Sequence, residues 1–367
     1  MSVCYNIQKE THKEHYMKVT KCRFGVLSDG TKVRLYTADN GAMSFSVTDY
    51  GCIITNISVP DKKGDRNDIV LGYSTLEGYL NDTKTYFGAC IGRYANRIAN
   101  ARFSLNGAEY SLDANDGTSC LHGGFKGYNR TVWKAKPIEG ENEAGVRFTR
   151  TSPAGEQGFP GKLKLEIEYI LTKANELIFR YKAAAKEDTV VSLTNHSYYN
   201  LAGEGSGDIL SHKLRLNASK YLPVDARLIP TGKQLEVEKS AFDFRSAKTI
   251  GCDIKKAGGY DHCFCIEQNR KEYAKGAASG LYFCAEAEDE KSGRKMSVYT
   301  DCPGVQFYSG NFLDVPAGKN GMPYTKYAGF CLETEHYPDS PNRPEFPSAL
   351  VKAGETYESV TVHIFNA

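Results

Sequence analysis

Short stretches in which apolar and polar residues alternate recur along the chain, and they set the first expectation. In residues 165–169, Leu165, Ile167 and Tyr169 are separated by Glu166 and Glu168. A period of two places one face of a strand in a core and the other in water. Residues 176–181, 298–300 and 360–365 carry the same alternation. Between such stretches lie turn signals, among them Asp29-Gly30, Asn40-Gly41, Asn106-Gly107 and Asp116-Gly117. Several of these suit hairpins, because both residue types tolerate a left-handed backbone.

Helical periodicity is scarce. Residues 75–80 predict one or two turns and residues 271–278 another. No long segment sustains an apolar stripe at helical spacing, and strands do not alternate with helices as a parallel sheet requires. No internal repeat or low-complexity linker interrupts the pattern. The tally predicts an all-β protein, a large antiparallel β-sandwich. Residues 24–367 are expected to form a single domain, with residues 1–23 as a polar N-terminal extension.

Charge and cysteine content then exclude several classes. The chain has 367 residues and a formal charge of +2, with both signs interspersed, so no nucleic-acid partner is expected. At this length the core needs neither disulfides nor a metal to hold it. The apolar runs are too short to cross a bilayer, and the first residues are charged without an apolar segment. Neither a membrane partner nor a secretory leader is expected, and a cytoplasmic location is. The 11 cysteines are scattered singly, as at Cys52, Cys90, Cys120 and Cys331, which is not a disulfide framework. Cys263 and Cys265 follow His262, but no second pair at zinc-ligand spacing accompanies them. Buried free thiols are expected there, and no metal.

Candidate chemistry rests on a few residues with unusual company. They are His122 before Gly123 and Gly124, His196 between Asn195 and Ser197, Asp261 beside His262, and Glu333 after the apolar run 329–332. A phosphate loop, a dinucleotide fingerprint and a nucleophile elbow are all missing. Histidines and carboxylates without a nucleophile suit proton transfer, since burial and neighbours tune both near neutral pH. Each also has a plain structural use: His122 capping a turn, His196 satisfying local hydrogen bonds, Asp261 serving as a turn acid. Glu333 is the most telling, because a carboxylate in a buried run must be paired, protonated or functional.

Taken in chain order, a longer series of segments resembles the galactose mutarotase (aldose 1-epimerase) family. They are residues 49–53 (DYGCI), 68–72 (DIVLG), 92–98 (GRYANRI), 121–124 (LHGG), the loop 152–161 (SPAGEQGFPG), 194–201 (TNHSYYNL), 259–262 (GYDH), 303–311 (PGVQFYSGN) and 329–347. The resemblance covers nearly everything after Phe24. It implies a β-sandwich with a sugar site in a cleft, and interconversion of the α and β anomers of a free hexose such as D-galactose or D-glucose, without a cofactor. By the same matching Glu333 is the general base and His196 the general acid, while Asn96, Arg97, His122, Asp261 and Gln306 bind and orient the sugar. Ring opening needs a base for the C1 hydroxyl and an acid for the ring oxygen, so the resemblance implies an ionised Glu333 and a protonated His196. Arg97 would offer a planar fork of donors to hydroxyls.

The chain departs from that pattern at one place. Glu335 stands where the family has glutamine. On a strand it shares a face with Glu333, and its charge would raise the pKa of the base. A partner, such as a basic group, is therefore expected for Glu335, and His336 is expected to be structural or at the surface. Three competing functions fit the same residues less well. A hexose 6-phosphate epimerase needs additional arginines for the phosphate, and of Arg93, Arg97 and Arg130 the first two already belong to the pattern. A non-catalytic sugar-binding protein on this fold would have lost the acid or the base. A glycosidase using Glu333 and Asp261 would leave His196 without a role. A monomer is expected, and no motif encodes a choice between galactose and glucose.

Overall fold

The strand Leu163–Thr172 shows how alternation becomes architecture. Leu165, Ile167 and Tyr169 are buried, Lys164 is exposed, and Glu166 and Glu168 are half-buried. Glu143–Ser152 and Glu176–Ala185 pair with it antiparallel, which sets Arg147 and Arg180 opposite Glu168. Arg147 meets the Glu168 carboxylate at 2.7 Å, a cross-strand pair on the wet face.

The computed structural model describes residues 16–268 and 276–366, and among these the strands build one nine-stranded sheet, two five-stranded sheets and four two-stranded pairs. The large sheet runs in the order Lys134–Glu139, Glu143–Ser152, Leu163–Thr172, Glu176–Ala185, Thr356–Asn366, Lys295–Thr300, Tyr282–Glu288, Lys213–Leu216, Lys248–Thr249. One small sheet is the meander from Val19–Val26 to Arg66–Asp68. The other runs Leu235–Glu236, Lys220–Tyr221, Asp261–Cys265, Gly304–Tyr308, Cys331–Glu335. Phe148, Ile167 and Phe179 of the large sheet share one core with Phe45 and Ile57 of the first small sheet and Phe264, Phe307 and Leu332 of the second. Burying a side chain of this size contributes about 1.5–3 kcal/mol. The all-β sandwich is therefore the observed architecture.

Local chemistry explains several joints. Asn106 and Gly107, at φ 53° and 80°, link Arg102–Leu105 to Ala108–Ser111, as a two-residue hairpin with positive φ at both positions requires. The helix Leu76–Asn81 starts where the Thr75 hydroxyl accepts from the Gly78 amide at 3.4 Å. In the other expected helical segment, residues 271–275 lie outside the described residues, and Gly276–Ala278 makes a 3-10 turn. A four-residue helix, Ile254–Ala257, is too short for its period to show in sequence.

The strand Val19–Val26 begins inside the segment expected as a polar extension. It pairs on one side with Lys32–Asp39, and an edge strand exposed on most of its length carries no apolar alternation to reveal it. Residues 1–15 lie outside the described residues. All ten cysteines among the described residues are free, and eight of them are buried. Cys263 and Cys265 pack with Leu222, Tyr337 and Phe346. His262 turns to the other face, against Tyr221 and Phe242, so the three side chains do not converge. Among the described residues no helix is long and apolar enough to cross a membrane.

Candidate active site

The second small sheet has two unlike faces. Phe264, Phe307 and Leu332 enter the core, and period-two alternation turns Asp261, Gln306 and Glu333 to the opposite side. Gln306 lies directly across from Glu333 in the ladder, and Tyr308 across from both Asp261 and Cys331. Asn96 and Arg97 come from another part of the chain. Cys120–Leu121 pairs with Arg97–Ile98, which brings His122 beside Asn96. The turn that follows passes the Gly92 carbonyl so closely that a Cβ on Gly123 would lie 2.0 Å from the oxygen. His196 follows Thr194–Asn195, held against Cys90–Ile91. All seven residues singled out in the sequence line one cleft: Asn96, Arg97, His122, His196, Asp261, Gln306 and Glu333.

Within it, His196 Nε2 stands 3.6 Å from Glu333 Oε2, and both residues are buried. Gln306 Nε2 donates to Asp261 Oδ1 at 2.6 Å. Arg97 Nε donates to Asp116 Oδ2 at 2.8 Å, so an acid read in the sequence only as part of a turn orients the guanidinium. Tyr86 and Tyr198 stack on His196 at centroid distances of 5.9 and 5.1 Å, each 21° from parallel. Neither tyrosine was singled out from the sequence. Tyr198 lies in the segment 194–201 that carries the resemblance, whereas Tyr86 has no local signal.

The partner of Glu335 differs from expectation. Instead of a basic group, the amide of Asn96 donates to Glu335 Oε1 at 3.1 Å. Glu335 is fully buried, and a glutamate there accepts this bond as a glutamine would. Asn96 lines the cleft, but its amide is committed to protein, since its Oδ1 also accepts from the Arg97 backbone at 2.9 Å. His336 is half-buried, and its backbone amide donates to the Ser192 hydroxyl at 3.1 Å, in line with a structural role.

Burial governs the charges. Loss of hydration, then the neighbouring Glu335 and Asp261 carboxylates, push Glu333 well above the usual carboxylate range, with Arg97 opposing. Burial likewise pushes Glu335 well up, the Asn96 bond opposing, and it raises the half-buried Asp261. His196 is driven down to about 4 by burial, and His122 well below its ordinary value by burial, His196 and Arg97. Burial therefore works against the protonated His196 that the resemblance implies. A desolvated imidazolium costs too much, and the neutral pair of histidine with carboxylic acid holds the same single proton.

One nitrogen or oxygen from each of His122, His196 and Glu333 lies within 4.8 Å of the others, a spacing that invites a metal reading. The Asn96 backbone N–H donates to His122 Nδ1 at 3.1 Å. A neutral imidazole that accepts at Nδ1 keeps its proton on Nε2, so the nitrogen left for the cleft is a donor. That suits a sugar hydroxyl and not a cation. A shallower groove on the large sheet, lined by Val132, Lys134, Arg150, Lys164 and Lys182, holds no comparable acid–base pair.

Comparisons with known proteins point to one family. A family model described as Aldose 1-epimerase matches residues 34–363. The galactose mutarotase of Mus musculus is 44% identical over 349 residues, covering 94% of this chain and 98% of its own. The aldose 1-epimerase of Escherichia coli K12 is 38% identical over 348 residues, covering 92% of this chain and 97% of its own. Among solved structures, galactose 1-epimerase from Lactobacillus acidophilus NCFM superposes with a TM-score of 0.81 at 25% identity, covering 95% of this chain and 99% of that one.

Proposed function

The chain belongs to the aldose 1-epimerase family, and from that premise we propose that Glu333 and His196 interconvert the α and β anomers of a free hexose in this cleft. The observation that carries the assignment is the buried contact between His196 Nε2 and Glu333 Oε2 at 3.6 Å. Two proton-transfer groups this close, joined by hydroxyl-binding side chains, meet the needs of ring opening.

The steps follow from the groups present. Glu333 as carboxylate takes the proton of the C1 hydroxyl while His196 as imidazolium gives one to the ring oxygen. The bond between C1 and the ring oxygen breaks, leaving an open-chain aldehyde, a carboxylic acid and a neutral imidazole. Rotation about C1–C2 offers the other face of the aldehyde, and closure returns both protons. The neutral pair favoured by burial is the state that holds the open sugar, so the enzyme is pre-tuned to stabilise the intermediate rather than the ring. Polar contacts to the hydroxyls shift the balance toward the ion pair when the ring binds. No electron or group leaves the sugar, so the steps consume no cofactor.

Arginine placement supports a free hexose over a phosphorylated one. Arg93 is buried and donates to the Gly161 carbonyl at 2.8 Å, Arg130 donates to the Asp82 carbonyl, and Arg97 is tied to Asp116. Arg93 and Arg130 are committed within the protein, and Arg97, held through Nε, is the arginine that lines the cleft, whereas a phosphate calls for a cluster of arginines. The remaining expectations belong to the same reading. The shared core, which takes in Met17 and Val19, supports one catalytic domain that begins ahead of residue 24, one chain supplies every group named, in keeping with a monomer, and buried free thiols suit a reducing cytoplasm.

Polarimetry of freshly dissolved α-D-galactose and α-D-glucose in a weakly catalysing buffer tests the function. A faster approach to the same final rotation is expected. An unchanged rate with folded protein would sink the assignment.

A further inference from the structure

A neutral imidazole carries one proton, and only one of its two nitrogens faces the chemistry. In His196, Nε2 faces Glu333 and Nδ1 faces Cys331 Sγ at 3.6 Å. Cys331 and Glu333 are two residues apart on the strand Cys331–Glu335, so they share a face and both reach the same ring. Cys331 is 0% exposed and His196 5%, which keeps water from competing for Nδ1. Burial, then the Glu333 and Asp261 carboxylates, hold the thiol well above its ordinary range, so the sulfur keeps its hydrogen.

We propose that Cys331 is a positioning residue for the epimerase reaction: its sulfur accepts from His196 Nδ1–H and holds the resting ring proton there, leaving Nε2 to exchange the working proton with Glu333 and the sugar. The opposite tautomer occupies Nε2 with the ring's own proton, so the proton carried by the Glu333 acid finds no lone pair to receive it. When Nε2 takes a second proton during turnover, the bond from Nδ1–H to the sulfur persists, since a thiol serves as a weak acceptor. A neutral acceptor supports both protonation states without adding a charge beside the acid. The sequence gives no sign of this role, because Cys331 reads as one more buried thiol in an apolar run.

The proposal rests on His196 being the acid, and the experiment separates the two claims. Long-range ¹H–¹⁵N NMR of the unliganded protein reports which ring nitrogen of His196 is protonated, whether or not sugar turns over. The wild type and Cys331→Ser are expected to hold the proton on Nδ1, and Cys331→Ala to show both tautomers. Polarimetry is expected to give kcat lower on the order of tenfold in Cys331→Ala, the factor of one neutral hydrogen bond. KM should be unchanged and Cys331→Ser should recover most of the rate. A wild-type His196 protonated at Nε2, or an alanine variant with an unshifted tautomer, would overturn the role of Cys331. Wild-type protein that does not turn over sugar, with the tautomer as expected, would count against the acid–base reading instead.

Discussion

His196 Nε2 lies 3.6 Å from Glu333 Oε2, and that oxygen has no hydrogen-bond partner among the described residues. An orphaned carboxylate oxygen in a buried site is costly unless a ligand satisfies it. The anomeric hydroxyl of a sugar is such a ligand, and the same contact lets one proton be exchanged through the substrate.

Replacing Glu333 with glutamine keeps the shape and removes the base. Turnover of Glu333→Gln is expected to fall by roughly 10²–10⁴-fold, with a melting temperature at or above that of the wild type, because a desolvated acid is removed. Polarimetric kcat beside a thermal melt checks both. Retained turnover would remove Glu333 from the role.

The working pair holds one proton in total, and this fixes the pH profile. As pH falls through about 4, His196 gains a proton while Glu333 is already protonated, and the base is lost. As pH rises through the elevated Glu333 value, the pair loses its last proton and the acid is lost. A bell is expected in kcat/KM, which reports the free enzyme, with its acid limb near 4 and its alkaline limb well above the usual carboxylate range. An acid limb at the ordinary histidine value would show that His196 is not desolvated.

Glu335→Gln restores an amide at the departing position. Burial is the largest cause raising Glu333, and the Glu335 charge comes next. Without that charge the Glu333 value falls, so the alkaline limb is expected to move to lower pH. Glutamine still accepts from Asn96, and the optimum rate should stay within about threefold of the wild type, less than one hydrogen bond is worth. An unmoved limb would mean that Glu335 holds its proton throughout the profile.

Asp116→Asn loosens Arg97 without touching the acid or the base. The pair closes at 2.8 Å with the arginine side chain 12% exposed, so the loss falls on sugar positioning. KM is expected to rise about three- to tenfold, the range of one charge-assisted bond at a partly exposed site, with kcat less affected. Initial rates across hexose concentrations separate the two, and an equal fall in kcat would place Arg97 in the chemistry.

Much of this was legible in the chain. Leu165, Ile167 and Tyr169 announce a strand because packing and solvation act on alternate residues, and Glu333 announces itself because a carboxylate does not belong in an apolar run. What escaped depends on distance along the chain or on the environment. The bond from Asn96 to Glu335 spans 239 positions, and no local pattern encodes it. Asp116 reads as a turn residue because its partner is found only when Cys120–Leu121 pairs with Arg97–Ile98. The downward push on the His196 pKa is a property of the enclosure, which tyrosines from separate segments help to provide.

The strand Thr356–Asn366 lies between Glu176–Ala185 and Lys295–Thr300, yet it is the last of these to leave the ribosome. Until it arrives, the two halves of the large sheet each present a bare edge, the kind of surface that chaperones shield. The strand also reaches behind the base: Thr361 Oγ1 lies 2.6 Å from Thr334 Oγ1, next to Glu333. A polypeptide stalled before these residues would therefore carry every catalytic side chain and still be inert, so enzyme activity in a translating extract marks chains whose synthesis has run through Thr356–Asn366.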